Sequence, residues 1–277
     1  MLIDSHHHLW KYSVDDYGWI DDSMSVLKND FLAPQLAEIA DGHSVDGFVS
    51  VQARQCIEET DALLEIAEQE SRIRGIVGWV PLIDPDVDKH LHHYADQPRV
   101  VGFRHVVQDE PDDRFLLRED FNRGVGRLRE FGFVYDILIF GRQLPAALEF
   151  VDRHPDQKFV LDHIAKPAID GDHVNANWMT NFRQLAKRSN VVCKFSGVVT
   201  EVRDEQWTID TIRPYFDIAL EAFGADRLMF GSDWPVCLLR SQYTRWLDTV
   251  RQLTEPLSDS EKSQFFAQTA IDAYGLK

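Results

Sequence analysis

The sequence predicts an α/β protein, a single-domain (β/α)8 TIM barrel spanning residues 1–277. Three observations predict it. Short apolar, β-branched runs recur eight times. Amphipathic stretches with apolar residues at helical spacing lie between most of them. The runs themselves are almost continuously hydrophobic, as strands of a parallel sheet covered on both faces must be. An open doubly wound sheet is the alternative, but no Gly-x-Gly-x-x-Gly follows the first run.

In chain order the expected strands cover residues 2–9, 45–52, 73–82, 100–107, 133–139, 158–164, 191–198 and 227–235. Helical faces follow them: Ala62, Leu63, Ile66 and Ala67; Leu144, Leu148 and Val151; Phe182, Leu185 and Ala186; Phe216, Ala219, Leu220 and Phe223; Trp246, Val250 and Leu253. Gly75, Gly102, Gly132 and Gly224 are expected at the junctions where helices hand over to strands. Residues 12–31 form a polar, aromatic-studded insertion after the first strand, either a lid or wall over the barrel mouth or a packed surface loop. Residues 108–118 form a second rim loop, and residues 258–274 read as a closing helix whose capping box is Ser258 and Glu261.

Composition narrows the function. The 29 basic and 46 acidic residues give a net charge of −17, which argues against nucleic acid as a partner and leaves a small, neutral substrate unopposed. No apolar run of about 18 residues is present, so no membrane span is expected. The N-terminus enters a strand directly, without the basic and apolar segments of a secretory signal. Cys56, Cys193 and Cys237 are few and widely spaced, which favours a reducing cytoplasm. Exposed apolar helix faces would permit a homodimer.

The chemistry begins in the first strand. Side chains at i and i+2 share a face, so His6 and His8 project together, about 6–7 Å apart along the strand, while His7 points away. Two such imidazoles can bind one metal ion through a nitrogen each. A truncated purification tag and plain surface histidines are the bland readings; a run of three at position 6 flanked by apolar strand residues makes a poor tag.

In barrels the C-terminal ends of the strands hold the site. The polar residues there are His6 and His8; Gln52; Trp79; Arg104 and His105; Asp136, expected to lie below the site; Asp162, His163 and Lys166; Lys194 and Ser196; and Ser232, Asp233 and Trp234. His6, His8, His163 and Asp233 form a coherent metal set. Three neutral imidazoles and a carboxylate suit one divalent ion, zinc above others, with an open position for water. Asp233 then serves as ligand, as base toward that water, or both.

Three segments carry a family resemblance. They are His6-x-His8, Leu161-Asp162-His163-Ile164-Ala165-Lys166-Pro167, and Phe230-Gly231-Ser232-Asp233-Trp234-Pro235. Together they resemble the amidohydrolase superfamily, most closely the amidohydrolase-related branch that contains sugar lactonases. The resemblance implies a (β/α)8 barrel, His6, His8 and His163 as the histidine positions, and Asp233 as general acid/base. It departs from binuclear members, whose fourth strand carries a carboxylated lysine or glutamate. Here that strand ends in Arg104, which cannot bridge two metals. The seventh strand also lacks the further histidine of many mononuclear members, and some lactonases of the branch work without tightly bound metal.

The expected function is therefore hydrolysis of a cyclic ester, a sugar (aldono-) lactone, with His163 and Asp233 as catalytic residues. Arg104 either pairs with Asp136 or Asp162, or offers its fork to a carbonyl or product carboxylate. Lys194, Lys166 and Gln52 are candidates for substrate hydroxyls. Trp10, Trp19, Trp79 and Trp234 are candidates to stack on a sugar ring, although indoles at loop roots also serve packing. Asp4, His7 and His105 are expected to support the site from behind. The competing reading is metal-dependent, non-oxidative decarboxylation of an unsaturated or aromatic acid.

Overall fold

A computed structural model of the chain describes residues 1–171, 173–204 and 206–277. All eight expected strands form: β1 (Ile3–His7), β2 (Gly47–Val51), β3 (Ile73–Gly78), β4 (Val100–His105), β5 (Val134–Ile137), β6 (Phe159–Leu161), β7 (Val191–Phe195) and β8 (Leu228–Phe230). Each pairs in parallel with its sequence neighbour. The sheet closes where His7 bridges Trp234, with the His8 amide donating to the Trp234 carbonyl at 2.7 Å. One helix packs outside after each strand: α1 (Ala33–His43), α2 (Ile57–Gln69), α3 (Val87–Ala95), α4 (Glu119–Leu128), α5 (Leu144–Arg153), α6 (Ala176–Leu185), α7 (Ile209–Phe223) and α8 (Tyr243–Leu253).

The helices bury the faces their spacing predicts. Leu63 and Ala67, Leu144 and Val151, Phe182 and Leu185, Phe216 and Phe223, and Trp246 and Val250 are all buried, whereas Ala62 is exposed. Each large apolar side chain taken from water stabilises the fold by about 1.5–3 kcal/mol. The closing segment is built as expected at its start, where Ser258 accepts from the Glu261 amide at 3.3 Å and Glu261 accepts from the Ser258 amide at 2.8 Å. Its first helix, α9 (Asp259–Ser263), widens into a π turn over Gln264–Gln268 before α10 (Thr269–Tyr274). Ala267, Ala270, Tyr274 and Leu276 plug the barrel's lower end against Ile3, Val49, Val77 and Met229.

Two expectations need correction. Gly132 and Gly224 do sit at helix-to-strand junctions, with φ of 78° and 72°, but Gly75 and Gly102 lie inside β3 and β4. Their reason is close packing: a Cβ on Gly75 would meet Leu276 at 2.8 Å, and one on Gly102 would meet the Val134 carbonyl oxygen at 2.7 Å. The apolar run at 158–164 also stops being a strand at Leu161. His163, Ile164, Ala165 and Lys166 follow with φ of 53°, 48°, 59° and 43°. A left-handed turn of non-glycine residues costs roughly 1–2 kcal/mol per residue, so tertiary contacts hold this segment against its own preference.

Residues 12–31 fold back as a wall. Trp10 and Phe31 exchange backbone hydrogen bonds of 2.9 and 2.8 Å at its base. Tyr17, Ile20 and Leu27 are buried within it, while Trp19 keeps 40% of its surface exposed.

Candidate active site

Above the barrel's C-terminal end lies a cavity of about 510 Å³, within the range of ordinary small-molecule sites. His8, Arg104, His163, Lys166 and Asp233 line it from the strand ends, Trp19 and Asp16 from the insertion, and Val106, Gln108 and Asp109 from the rim loop after β4. His6 lies directly beneath, fully buried.

The strand period does what the sequence implies. Nε2 of His6 is 3.2 Å from Nε2 of His8, while His7 points outward to the Ser50 hydroxyl at 2.8 Å and packs on Phe48. Asp233 enters from the far end of the chain, its amide donating to the His6 carbonyl at 2.8 Å. Its Oδ1 is 3.7 Å from His6 Nε2, 3.4 Å from His8 Nε2 and 3.9 Å from His163 Nε2. Both Asp233 and His163 have left-handed backbone, with φ of 58° and 53°. Such strain in non-glycine residues concentrates at functional sites.

The rings are held from behind. His8 Nδ1 is 2.7 Å from the Val51 carbonyl oxygen, which can only accept, so Nδ1 carries a proton and Nε2 is the nitrogen turned toward Asp233. His163 Nδ1 meets the Ser196 hydroxyl at 2.9 Å. Burial pushes His163 down to about 4 and His6 well below the usual imidazole value, so both are neutral at pH 7. Burial alone would raise the Asp233 carboxyl, but His163 and His8 outweigh it and hold it below the ordinary carboxylate value.

Below the rings runs a charged layer. Lys194 Nζ lies 2.6 Å from Asp136 Oδ2, 3.0 Å from Asp162 Oδ1 and 3.2 Å from His6 Nδ1. Arg104 Nη1 donates to Asp162 Oδ2 at 2.9 Å, and Nη2 donates to the Gln52 carbonyl. Burial alone would raise Asp162, but Lys194, His6 and Arg104 hold it well below the usual carboxylate range. Asp136, as expected, sits under the site, where it also accepts from the Tyr274 hydroxyl at 2.7 Å.

The structure thus separates the residues named from sequence. His6, His8, His163 and Asp233 converge, with Arg104 and Lys166 beside them on the cavity wall. Lys194 does point into the barrel, yet it is 0% exposed and lies outside the cavity, under His6. Gln52 is likewise buried and serves Arg104, its amide donating to the Arg104 carbonyl at 3.2 Å. Trp10 and Trp234 are buried behind the wall, their rings meeting Phe31 edge-on at 5.4 and 5.2 Å; of the four candidate indoles only Trp19 reaches the cavity. Asp4 supports the site by accepting from the Ser232 amide at 2.8 Å, and His105 turns outward to Glu110 at 2.7 Å.

Sequence reasoning missed Glu201, whose Oε1 is 3.8 Å from the Lys166 ammonium, and Gly197, where a Cβ would lie 2.5 Å from His163 Nδ1. The latter had a signal, a Ser-Gly pair closing an apolar run.

Whether these residues suit a metal is decided by their atoms. His6, His8 and Asp233 offer donor atoms all within 4.8 Å of one another, and His163 reaches the same Asp233 oxygen. Edges of 3.2–3.7 Å bracket the ~3.3 Å separation expected between donors around a tetrahedral ion with bonds of about 2.0–2.1 Å. The donor set fits a single divalent ion.

A family model described as amidohydrolase matches residues 3–276. The chain belongs to the amidohydrolase family. It is 41% identical to an L-fucono-1,5-lactonase of Burkholderia multivorans, across 100% of this chain and 96% of that protein. An L-fucono-1,5-lactonase of Burkholderia ambifaria is 31% identical across 99% of this chain and 95% of its own length. Among solved structures, a crystal structure of an amidohydrolase from Burkholderia multivorans with bound Zn superposes with a TM-score of 0.95 at 41% identity, covering 100% of both chains. The family frame agrees with the barrel, and at the end of β4 Arg104 is tied to Asp162 at 2.9 Å. Among the described residues, no helix is long and apolar enough to cross a membrane.

Proposed function

We propose that this amidohydrolase opens the ring of a sugar (aldono-) lactone with water. One observation carries the reading: Asp233 Oδ1 lies within 3.9 Å of three histidine Nε2 atoms at the floor of a cavity sized for a small molecule. The two lactonases, related over nearly their whole length, supply the substrate class. Zinc is the proposed ion, because neutral imidazoles and a carboxylate suit it and the Burkholderia multivorans amidohydrolase structure holds Zn. His6, His8, His163 and Asp233 would hold it. When bound, such an ion polarises a carbonyl and makes hydroxide available near neutral pH.

The chain's own residues do the rest. The Asp233 carboxylate, ionised at neutral pH, takes a proton from water as the water oxygen attacks the lactone carbonyl. The Arg104 guanidinium on the cavity wall balances the negative charge that grows on the carbonyl oxygen. As the ring C–O bond breaks, protonated Asp233 returns its proton to the leaving alkoxide, and the product is an open-chain hydroxy acid. Lys166 contacts hydroxyls or the new carboxylate, and Trp19 offers its exposed face to the ring. The three cysteines are free, in keeping with a cytoplasmic location.

A pH-indicator screen over sugar lactones, run on zinc-loaded and chelated protein, tests the reading. Acid release from at least one aldono-lactone is expected. Carbon dioxide release from an aromatic acid, with every lactone left intact, would overturn it in favour of decarboxylation.

A further inference from the structure

Among the described residues, Arg54, Arg104 and Lys166 bring positive charge to the cavity, and each is met by a carboxylate. Arg54 Nη2 lies 2.7 Å from Asp16 Oδ1, Arg104 Nη1 lies 2.9 Å from Asp162 Oδ2, and the Lys166 ammonium lies 3.8 Å from Glu201 Oε1. Asp109 and Asp233 line the same cavity and add negative charge. A second carboxylate on a substrate therefore meets no unmatched cation among these residues, whereas neutral hydroxyls meet both donors and acceptors.

The third pair differs from the other two. At 3.8 Å Glu201 is past hydrogen-bond length, so it balances the Lys166 charge without taking one of its N–H donors. Glu201 also stands behind the cavity wall: it lines a second cavity of about 560 Å³, and Lys166 is the residue the two cavities share. The loops after β6 and β7 fix its place. The Glu201 carbonyl accepts from the Ile169 amide at 3.3 Å, the Arg203 amide donates to the Ile169 carbonyl at 3.1 Å, and Arg203 pairs with Asp170 at 2.7 Å. From the other side, the left-handed turn ending at Lys166 leaves its ammonium 5.7 Å from the Phe140 ring centroid. Both side chains of the pair are 16% exposed, so an unmatched charge on either is costly. Burial pushes the Glu201 carboxyl upward, and Lys166 is the largest influence opposing it.

We propose that Glu201 is a positioning residue that sets specificity: it holds and neutralises Lys166, so that the cavity accepts uncharged lactones and turns away those bearing a second carboxylate. The proposal rests on the lactonase reading for its kinetic test but not for its binding test.

The kinetic test compares Glu201→Gln with wild type on the lactone that responds in the screen and on its analogue with a carboxylate at the terminal carbon. The acidic-to-neutral ratio of kcat/KM should rise at least about 10-fold, the worth of a hydrogen bond to a charged group, with the gain in KM. Glu201→Asp keeps the charge and should leave the ratio near wild type, and adding Lys166→Met to Glu201→Gln should abolish the gain. An unchanged ratio in Glu201→Gln, or a gain that survives the loss of Lys166, overturns the proposal. Where Glu201→Gln does not fold, Lys166→Gln strands the Glu201 charge beside the cavity and should lower the ratio by about 10-fold; no fall overturns it equally. The binding test is titration calorimetry with D-glucarate and D-gluconate, which needs no turnover. Glu201→Gln should gain at least about 10-fold in affinity for the dicarboxylate relative to the monocarboxylate, and no relative gain overturns the proposal. Failure of the wild type to open any lactone would instead defeat the lactonase reading, while calorimetry still decides the role of Glu201.

Discussion

Oδ1 of Asp233 stands 3.4 Å from Nε2 of His8, although nearly the whole chain lies between them. The closure of β8 onto β1 makes this possible, through the Asp233 amide bond to the His6 carbonyl and the His8 amide bond to Trp234. Held below the ordinary carboxylate value by its histidine neighbours, Asp233 is ionised at pH 7 and can still exchange a proton with water.

Asp233→Asn keeps the shape and removes the base. Turnover on the responsive lactone should fall by about 10²–10⁴-fold, while circular dichroism and the melting temperature stay near wild type. A rate within a few-fold of wild type would mean that another group moves the proton.

Gly197 has φ of 62°, and a Cβ there would press to 2.5 Å on His163 Nδ1 and 3.0 Å on Asp233 Oδ2. Gly197→Ala should therefore cut kcat by about 10²-fold, the penalty of misplacing a reacting group by roughly 1 Å. The single-turnover rate is the measurement to make, alongside a thermal melt to separate displacement from unfolding.

Trp19 lines the cavity from the insertion, where its ring packs edge-on against Trp10 at 6.0 Å. Trp19→Ala should raise KM by about 10-fold and leave kcat within a few-fold, the signature of binding felt equally by substrate and transition state. A change confined to kcat would place the insertion in the chemical step instead.

Burial pushes the Glu59 carboxyl up from 4.5 to about 7, although it accepts from the Ala53 and Arg54 amides at 3.0 and 2.7 Å. Its folded value exceeds its unfolded one. The stability from its protonated form is thus complete below about pH 4.5 and lost as pH rises through about 7. Glu59→Gln retains an acceptor without the charge. It should match wild type near pH 5 and exceed it by about 2 kcal/mol at pH 8.5, read from urea midpoints; equal midpoints at both pH values would contradict the shift.

Local pattern was enough for the barrel and for the shared face of His6 and His8. The period of two put His6 and His8 on one face, and the eight apolar runs implied a closed parallel sheet, because both properties are carried by neighbouring residues. Depth was not legible. Lys194 and Gln52 sit on inward-pointing positions just as Arg104 does, but only Arg104 reaches the cavity, since His6 roofs Lys194 and the Arg104 fork covers Gln52. Nor was the left-handed turn at His163–Lys166 readable from its residues, whose own preferences oppose it.

By itself, then, the chain's residue pattern determined the architecture, the histidine pair and the aspartate that joins it. Tertiary structure alone decided which charges line the cavity and which are buried beneath it. The reason is physical: periodicity tells which way a side chain points, whereas burial and hydrogen-bond partnership depend on what distant strands place above and below it.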